Sequence, residues 1–227
     1  WDVSTAEQNY QTLVKMGEGI EPPPGSQSDK PFSKFMEIYA ALCRFHMKTY
    51  GTTQRQIAAV CAKNHTHSVH NPFSQFRKPF TIDEVLAAPP ITYPITLPMC
   101  APLSDGSAAA ILCTEEGLKR IGAEKSRCIK VAASVIRSFT HRGLDQPELN
   151  IGRLAANQAY EIAGLGPKDM HVAEVHDASA MGEIIQAENL GLVELGMGGP
   201  AAERGEFTLG GRMPINTSGG LESKGHP

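Results

Sequence analysis

The sequence has no run of about 18 apolar residues, the least that a membrane-spanning helix needs, and so no integral membrane span is expected. It has no excess of basic charge: 21 Lys and Arg stand against 24 Asp and Glu. That excludes a nucleic-acid binder with the usual basic footprint. No basic-then-apolar secretory signal opens the chain, whose first residue is Trp1. Cysteines at metal-ligand spacing are missing too. The five present, Cys43, Cys61, Cys100, Cys113 and Cys128, are odd in number and read as free thiols in a reducing compartment. There is no internal repeat and no low-complexity tract. What remains is globular: 227 residues, 41% apolar and 20% charged, suit one large domain or two small ones. The chain closes on Gly225-His226-Pro227 straight after a glycine turn, which points to a piece of something longer.

Residues 1–30, with Pro22-Pro23-Pro24-Gly25, read as an irregular surface loop. From Ser33 to Tyr50 the apolar spacing of Phe35, Ile38, Tyr39, Leu42, Phe45 and His46 predicts a helix, with Gly51 as its C-cap. Thr53–Gln56 is a capping box that opens a helix with the stripe Ile57, Val60 and Cys61. Thr81–Glu84 opens a short helix that Pro89-Pro90 stops, and a polar loop fills His65 to Pro79. Beyond residue 94 the pattern changes. Strands are expected at Ser107–Cys113, Lys130–Ile136, Val172–Val175 and Arg212–Asn216. Helices are expected near 115–122, at Asn150–Ala163 with Gly164 as cap, and at Ala178–Leu190. Strands alternating with helices of this length imply an α/β domain.

Several residues could carry chemistry. His176 follows an expected strand and precedes a helix, where open α/β sheets bind ligands; equally, Asp177 caps that helix and His176 packs in the turn. His226 ends a glycine-rich stretch from Asn216 whose small residues admit a close approach. It either passes a proton near neutral pH or sits in an ordinary turn. His65, His67 and His70 have no matching Cys or carboxylate at ligand spacing, so the reading is a polar loop and no metal. Cys100 has neither a helix N-terminus nor a histidine beside it in sequence and reads as a buried thiol. Gly196–Gly199 lacks the strand and helix of a phosphate cradle.

Asn216-Thr217-Ser218-Gly219-Gly220-Leu221, followed by Lys224-Gly225-His226-Pro227, resembles the glycine–histidine–proline block of the thiolase superfamily. Glu174-Val175-His176-Asp177-Ala178, with Glu183 and Glu188-Asn189-Leu190-Gly191, resembles the block in which the sterol-carrier-protein-x, or lipid-transfer, type carries His-Asp. Tyr50-Gly51-Thr52-Thr53, Lys63-Asn64-His65, Asn71-Pro72 and Ser104-Asp105-Gly106-Ser107 continue the likeness in family order. Ser179 and Ala180 depart from the type, which bears on acyl specificity.

The resemblance implies an α/β thiolase-like fold: part of a five-layered αβαβα core and part of a loop domain. Residues 1–98 would belong to the loop domain, 99–125 to the closing strand and helix of the first half, and 126–227 to the second half. The nucleophilic-cysteine block and a C-terminal block lie outside this stretch in the family, and none of the five cysteines aligns with either. The implied activity is acyl transfer from 3-oxoacyl-CoA, with His226 activating a cysteine and His176 donating to an oxyanion. Coenzyme A, as substrate and not as a covalent cofactor, would run past His65, Ala101, Ser218 and Gly219. A homodimer or homotetramer is implied, cytoplasmic, or peroxisomal in a eukaryote. Two other readings share the likeness: a retro-aldolase on a steroid side-chain acyl-CoA with an OB-fold partner, and a non-catalytic fragment or subunit.

Overall fold

Helix α3 (Gln54–Ser68) runs through the middle of the protein and is buried on nearly every side. The computed structural model describes residues 3–138, 142–143 and 146–227, with the side chains of 3–6 left aside. Thr53 starts α3 as a complete capping box: its hydroxyl accepts from Gln56 N, and the Gln56 side chain accepts from Thr53 N. Ile57, Val60 and Cys61 face the core as their spacing implies. The helix continues four residues into the segment expected to be loop, and Lys63, Asn64, His65, His67 and Ser68 are buried with it. Buried polar groups of that number must find partners inside the protein.

The helices around α3 follow local signals closely. Helix α2 (Lys34–Tyr50) starts on Ser33 and stops at Gly51, whose φ of 76° is left-handed. It buries Ala40, Ala41, Cys43 and His46, while Phe35 lies outside the buried stripe. Helix α4 (Ile82–Ala87) opens with the expected capping box at Thr81. It is followed by an antiparallel hairpin of β1 (Pro90–Thr92) and β2 (Ile95–Thr96). Helix α5 (Glu115–Arg120) and helix α6 (Ile151–Ala163, capped by Asn150 and Gly164) lie where the sequence puts them. Helices α7 (Ala180–Asn189) and α8 (Gly198–Glu203) pack on α3, and α9 (Gly220–Lys224) closes the chain against it. The core is a single cluster that includes Ile57, Val85, Ile95, Met181, Ile184, Phe207 and Ile215. Among the described residues no helix is long and apolar enough to cross a membrane.

Three expectations are corrected. The opening segment is not all loop: α1 is the helix Val3–Lys15, which packs on α2, and only the proline-rich stretch after it is irregular. Ser107–Cys113 and Lys130–Ile136 form no strands and lie largely open to solvent, with Ile111 85%, Leu112 82% and Ile136 95% exposed. A strand exists through its ladder, and among the described residues nothing pairs with these two segments. Val172–Val175 and Arg212–Asn216 do find each other, but only through a parallel bridge at Ala173 and Ile215. Ala173 N donates to Pro214 O at 3.0 Å, and Asn216 N donates to Ala173 O at 2.9 Å.

Candidate functional site

That short pairing places the ends of two segments side by side, one leading into His176 and the other into α9 and His226. A third segment, residues 100–104, runs between them. Ala101 N donates to Ala178 O at 3.0 Å, His226 N to Pro102 O at 2.8 Å, and Ser104 N to His226 O at 3.2 Å. His176 and His226, 50 positions apart, are thereby brought together with their Nε2 atoms at 3.2 Å and their rings edge-to-face. His226 Nδ1 lies 3.1 Å from Pro227 O. A carbonyl oxygen only accepts, so Nδ1 carries the hydrogen and the Nε2 of a neutral His226 is the acceptor. The His176 Nε2–H is then the donor between the rings. Burial and the neighbouring His226 hold the His176 imidazole below its ordinary range, which favours the neutral ring. The pair is a base nitrogen and an N–H donor that face each other on a partly open surface.

Behind the histidines lies a buried polar cluster. Asp177 does not cap α7. Ser179 holds the cap position without a side-chain bond, and the Asp177 carboxylate turns to α9, accepting from Leu221 N at 2.7 Å. Asn64 Nδ2 donates to Asp177 Oδ2 at 3.0 Å, to Glu222 Oε2 at 2.9 Å and to Glu183 Oε2 at 3.2 Å. Lys63 Nζ donates to Asn64 Oδ1 at 2.7 Å and to Ile215 O at 2.6 Å, and it pairs with Glu183 at 2.9 Å. Asn216 Nδ2 donates to Glu183 Oε2 at 2.9 Å, while its Oδ1 accepts from Val175 N at 2.8 Å. Three carboxyl groups thus share one ammonium in a site closed to water. Burial, then the charge of Glu183, pushes Asp177 up to about 7. Burial and the charge of Asp177 push Glu222 well above the carboxylate range, and burial raises Glu183. Asp177 and Glu222 keep a proton between them into the neutral range.

The other sequence candidates have different surroundings. His65 is buried on α3, edge-on to Phe80 and 3.4 Å from Pro98 O, and is not brought to the histidine pair. His67 bonds Asn216 O through Nδ1 at 3.1 Å, and its Nε2 accepts from Leu209 N at 3.0 Å. Among the described residues no group of three or more His, Cys, Asp and Glu is arranged to hold a metal ion. The Ala101 N–H is used by Ala178. Ser218 O accepts from Asn71 Nδ2 at 3.1 Å, and Ser218 Oγ accepts from Lys224 Nζ at 3.0 Å. The small residues at Gly219 and Gly220 do permit a close approach, but to the chain itself. A Cβ on Gly219 would lie 2.7 Å from Ser68 Cβ, and one on Gly220 would lie 2.0 Å from Asp177 Oδ2. Among the cysteines, burial pushes Cys100 up to about 12, and Cys43 and Cys61 are raised as well; Cys113 and Cys128 are exposed. None of the five has a hydrogen bond to either histidine among the described residues.

Sequence reasoning missed the cluster. Lys63 and Asn64 stand three and four residues after Val60, on the same stripe as the core positions, and that spacing was the available signal.

Residues 139–227 match the family described as thiolase C-terminal domain-like. The chain is 40% identical over 197 residues to a protein named sterol carrier protein 2 from Oryctolagus cuniculus, covering 84% of this chain and 36% of that one. It is 35% identical over 223 residues to an acetyl-CoA acetyltransferase of Methanothermobacter thermautotrophicus, covering 95% of this chain and 58% of that one. The chain therefore spans from about a third to under two thirds of these relatives' lengths. Among solved structures, a chain of a structure named Ltp2-ChsH2(DUF35) aldolase superposes with a TM-score of 0.62 at 24% identity, covering 83% of this chain and 51% of that one.

Proposed function

The chain is a thiolase-superfamily chain of the sterol-carrier type, with a thiolase-like α/β fold, and on that premise we propose that the whole protein is a coenzyme A-dependent acyltransferase. It would cleave or form a 3-oxoacyl-CoA. The observation that carries this reading is the 3.2 Å approach of His176 Nε2 to His226 Nε2. His226 Nε2 is the base that takes a thiol proton, leaving a thiolate to attack the thioester carbonyl. His176 Nε2–H donates to the carbonyl oxygen as it gains negative charge. Such a donor is worth about 100- to 1,000-fold in kcat because it is already oriented when the charge develops. The acyl-transfer nucleophile would come from the part of the family's fold outside these residues, since the thiols described here are shifted away from reactivity or stand clear of the pair. Coenzyme A binding near Ala101, Ser218 and Gly219, a homodimer or homotetramer, and a cytoplasmic or peroxisomal setting belong to the same proposal.

One observation favours a second reading. Burial holds the Cys43, Cys61 and Cys100 thiols away from the thiolate form, and carbon–carbon cleavage by retro-aldol chemistry needs only a base and an oxyanion donor. The fold neighbour is named as an aldolase with a DUF35 component. In this reading the substrate is a steroid side-chain acyl-CoA and an OB-fold partner completes the enzyme.

The test is acetyl transfer from acetoacetyl-CoA to coenzyme A by the full-length protein. The reading expects turnover that His226→Ala abolishes. A His226→Ala protein with undiminished rate would remove His226 from the mechanism. Retro-aldol release of a ketone from a β-hydroxyacyl-CoA, with no thiolysis, would establish the second reading.

A further inference from the structure

The two histidines do not reach each other through their own neighbours alone. His176 is followed directly by Asp177, and His226 follows α9, which carries Leu221 and Glu222. Asp177 binds the first turn of α9 through Leu221 N, and Gly220 leaves the carboxylate the room to do so. What completes the tie is on a third element. Asn64, in the buried second half of α3, donates from one amide nitrogen to Asp177 at 3.0 Å and to Glu222 at 2.9 Å. Its orientation is dictated by Lys63, whose ammonium can only donate and so faces the Asn64 oxygen, turning the NH2 group toward the carboxyls. Asn64 is fully buried, so bulk water does not reach the bridge.

We propose that Asn64 is a positioning residue for the His176–His226 pair: by bridging Asp177 and Glu222 it ties the two histidine-bearing segments into one unit without touching either ring. The charged groups packed around the amide are Lys63 of α3, Asp177, Glu183 of α7 and Glu222 of α9, and none is hydrogen-bonded to an imidazole. Loss of the bridge frees α9 to shift relative to residue 177. A few tenths of an ångström at the backbone is enough to open an Nε2–Nε2 contact that depends on alignment. The catalytic meaning of this tie rests on the function proposed above; its physical content does not, because it is read without substrate.

The test is side-chain NMR of the imidazoles across pH in the full chain, with the two rings assigned by their loss in His176→Gln and His226→Gln. The parent is expected to show a His176 step held below the ordinary imidazole value by burial and by the neighbouring His226 ring. In Asn64→Ala the His176 step rises toward the ordinary imidazole value of about 6.5. A second comparison keeps the proposal open to refutation if that variant does not fold. Glu222→Ala, which removes one arm of the bridge, raises the His176 step in the same way, while Glu222→Gln, which keeps an acceptor for Asn64, retains the parent His176 titration. A folded Asn64→Ala with parent titrations overturns the proposal. So do Glu222→Ala and Glu222→Gln proteins that behave alike, or a parent whose His176 titration does not change in His226→Gln. Failure of the acyltransfer assay alone leaves it standing.

Discussion

His176 and His226 meet Nε2 to Nε2 at 3.2 Å, and the hydrogen on His226 Nδ1, held by Pro227 O, decides which ring donates. Division of labour follows from that one bond. If His226 is the base and His176 the donor, their removal has different kinetic signatures. His226→Ala should abolish thiolysis by the full-length protein. His176→Ala should lower kcat by about 100- to 1,000-fold with a smaller change in KM, because oxyanion contacts strengthen mainly in the transition state. Steady-state kinetics on acetoacetyl-CoA checks both, and equal losses in KM and kcat for His176→Ala would count against the donor role.

Asp177, Glu183 and Glu222 make stability fall as pH rises. Their folded pKa values lie above the unfolded ones, so the folded state binds more protons between the two. For Asp177 the favourable contribution is full below about 4 and is lost as pH rises through about 7. Glu183 and Glu222, raised as well, act in the same sense. Buried His65 and His67, with lowered values, act in the opposite sense but only below their unfolded pKa of about 6.5. Urea midpoints should therefore decline from pH 7 to pH 8.5, and Glu222→Gln, which replaces an acid with a neutral amide, should flatten that decline.

Lys63 is the lone ammonium among three buried carboxyls. Lys63→Met keeps the length of the side chain and removes its charge and donors. It should cost about 3–5 kcal/mol, the range for breaking a buried pair and leaving a charge uncompensated. Chemical denaturation at pH 7.5 measures it, and the loss should shrink at pH 5 as the carboxyls take up protons.

Gly220 and Gly51 both have left-handed backbones, with φ of 61° and 76°, yet their substitutions should differ. Gly51→Ala meets no atom within 4 Å and should cost only the backbone penalty of about 1–2 kcal/mol. Gly220→Ala would place Cβ 2.0 Å from Asp177 Oδ2, so α9 must move away. A loss of at least about 3 kcal/mol is expected, together with altered His176 and His226 resonances.

Thiol accessibility gives a test of burial. Cys113 and Cys128 should react with an aromatic disulfide reagent at once, Cys100 slowly, and Cys43 and Cys61 only on unfolding. Prompt modification of Cys43 or Cys61 in the native protein would contradict the packing of α2 and α3.

What the sequence determined by itself was local. Ser33, Thr53, Thr81 and Asn150 start helices where their side chains accept from the next backbone N–H groups, and Gly51 and Gly164 end them, because caps act within a few residues. The thiolase blocks singled out His176 and His226. Tertiary structure alone decided the rest. The apolar runs at 107–113 and 130–136 have strand character but, among the described residues, no neighbour to complete a ladder. Lys63, Asn64 and Glu222 look like surface residues by type alone. The core stripe of α3 marks Lys63 and Asn64 as inward, but their partners are set only when α3, α7 and α9 converge, since those partners lie more than a hundred positions away. The same convergence turned Asp177 from an expected helix cap into the anchor of another helix.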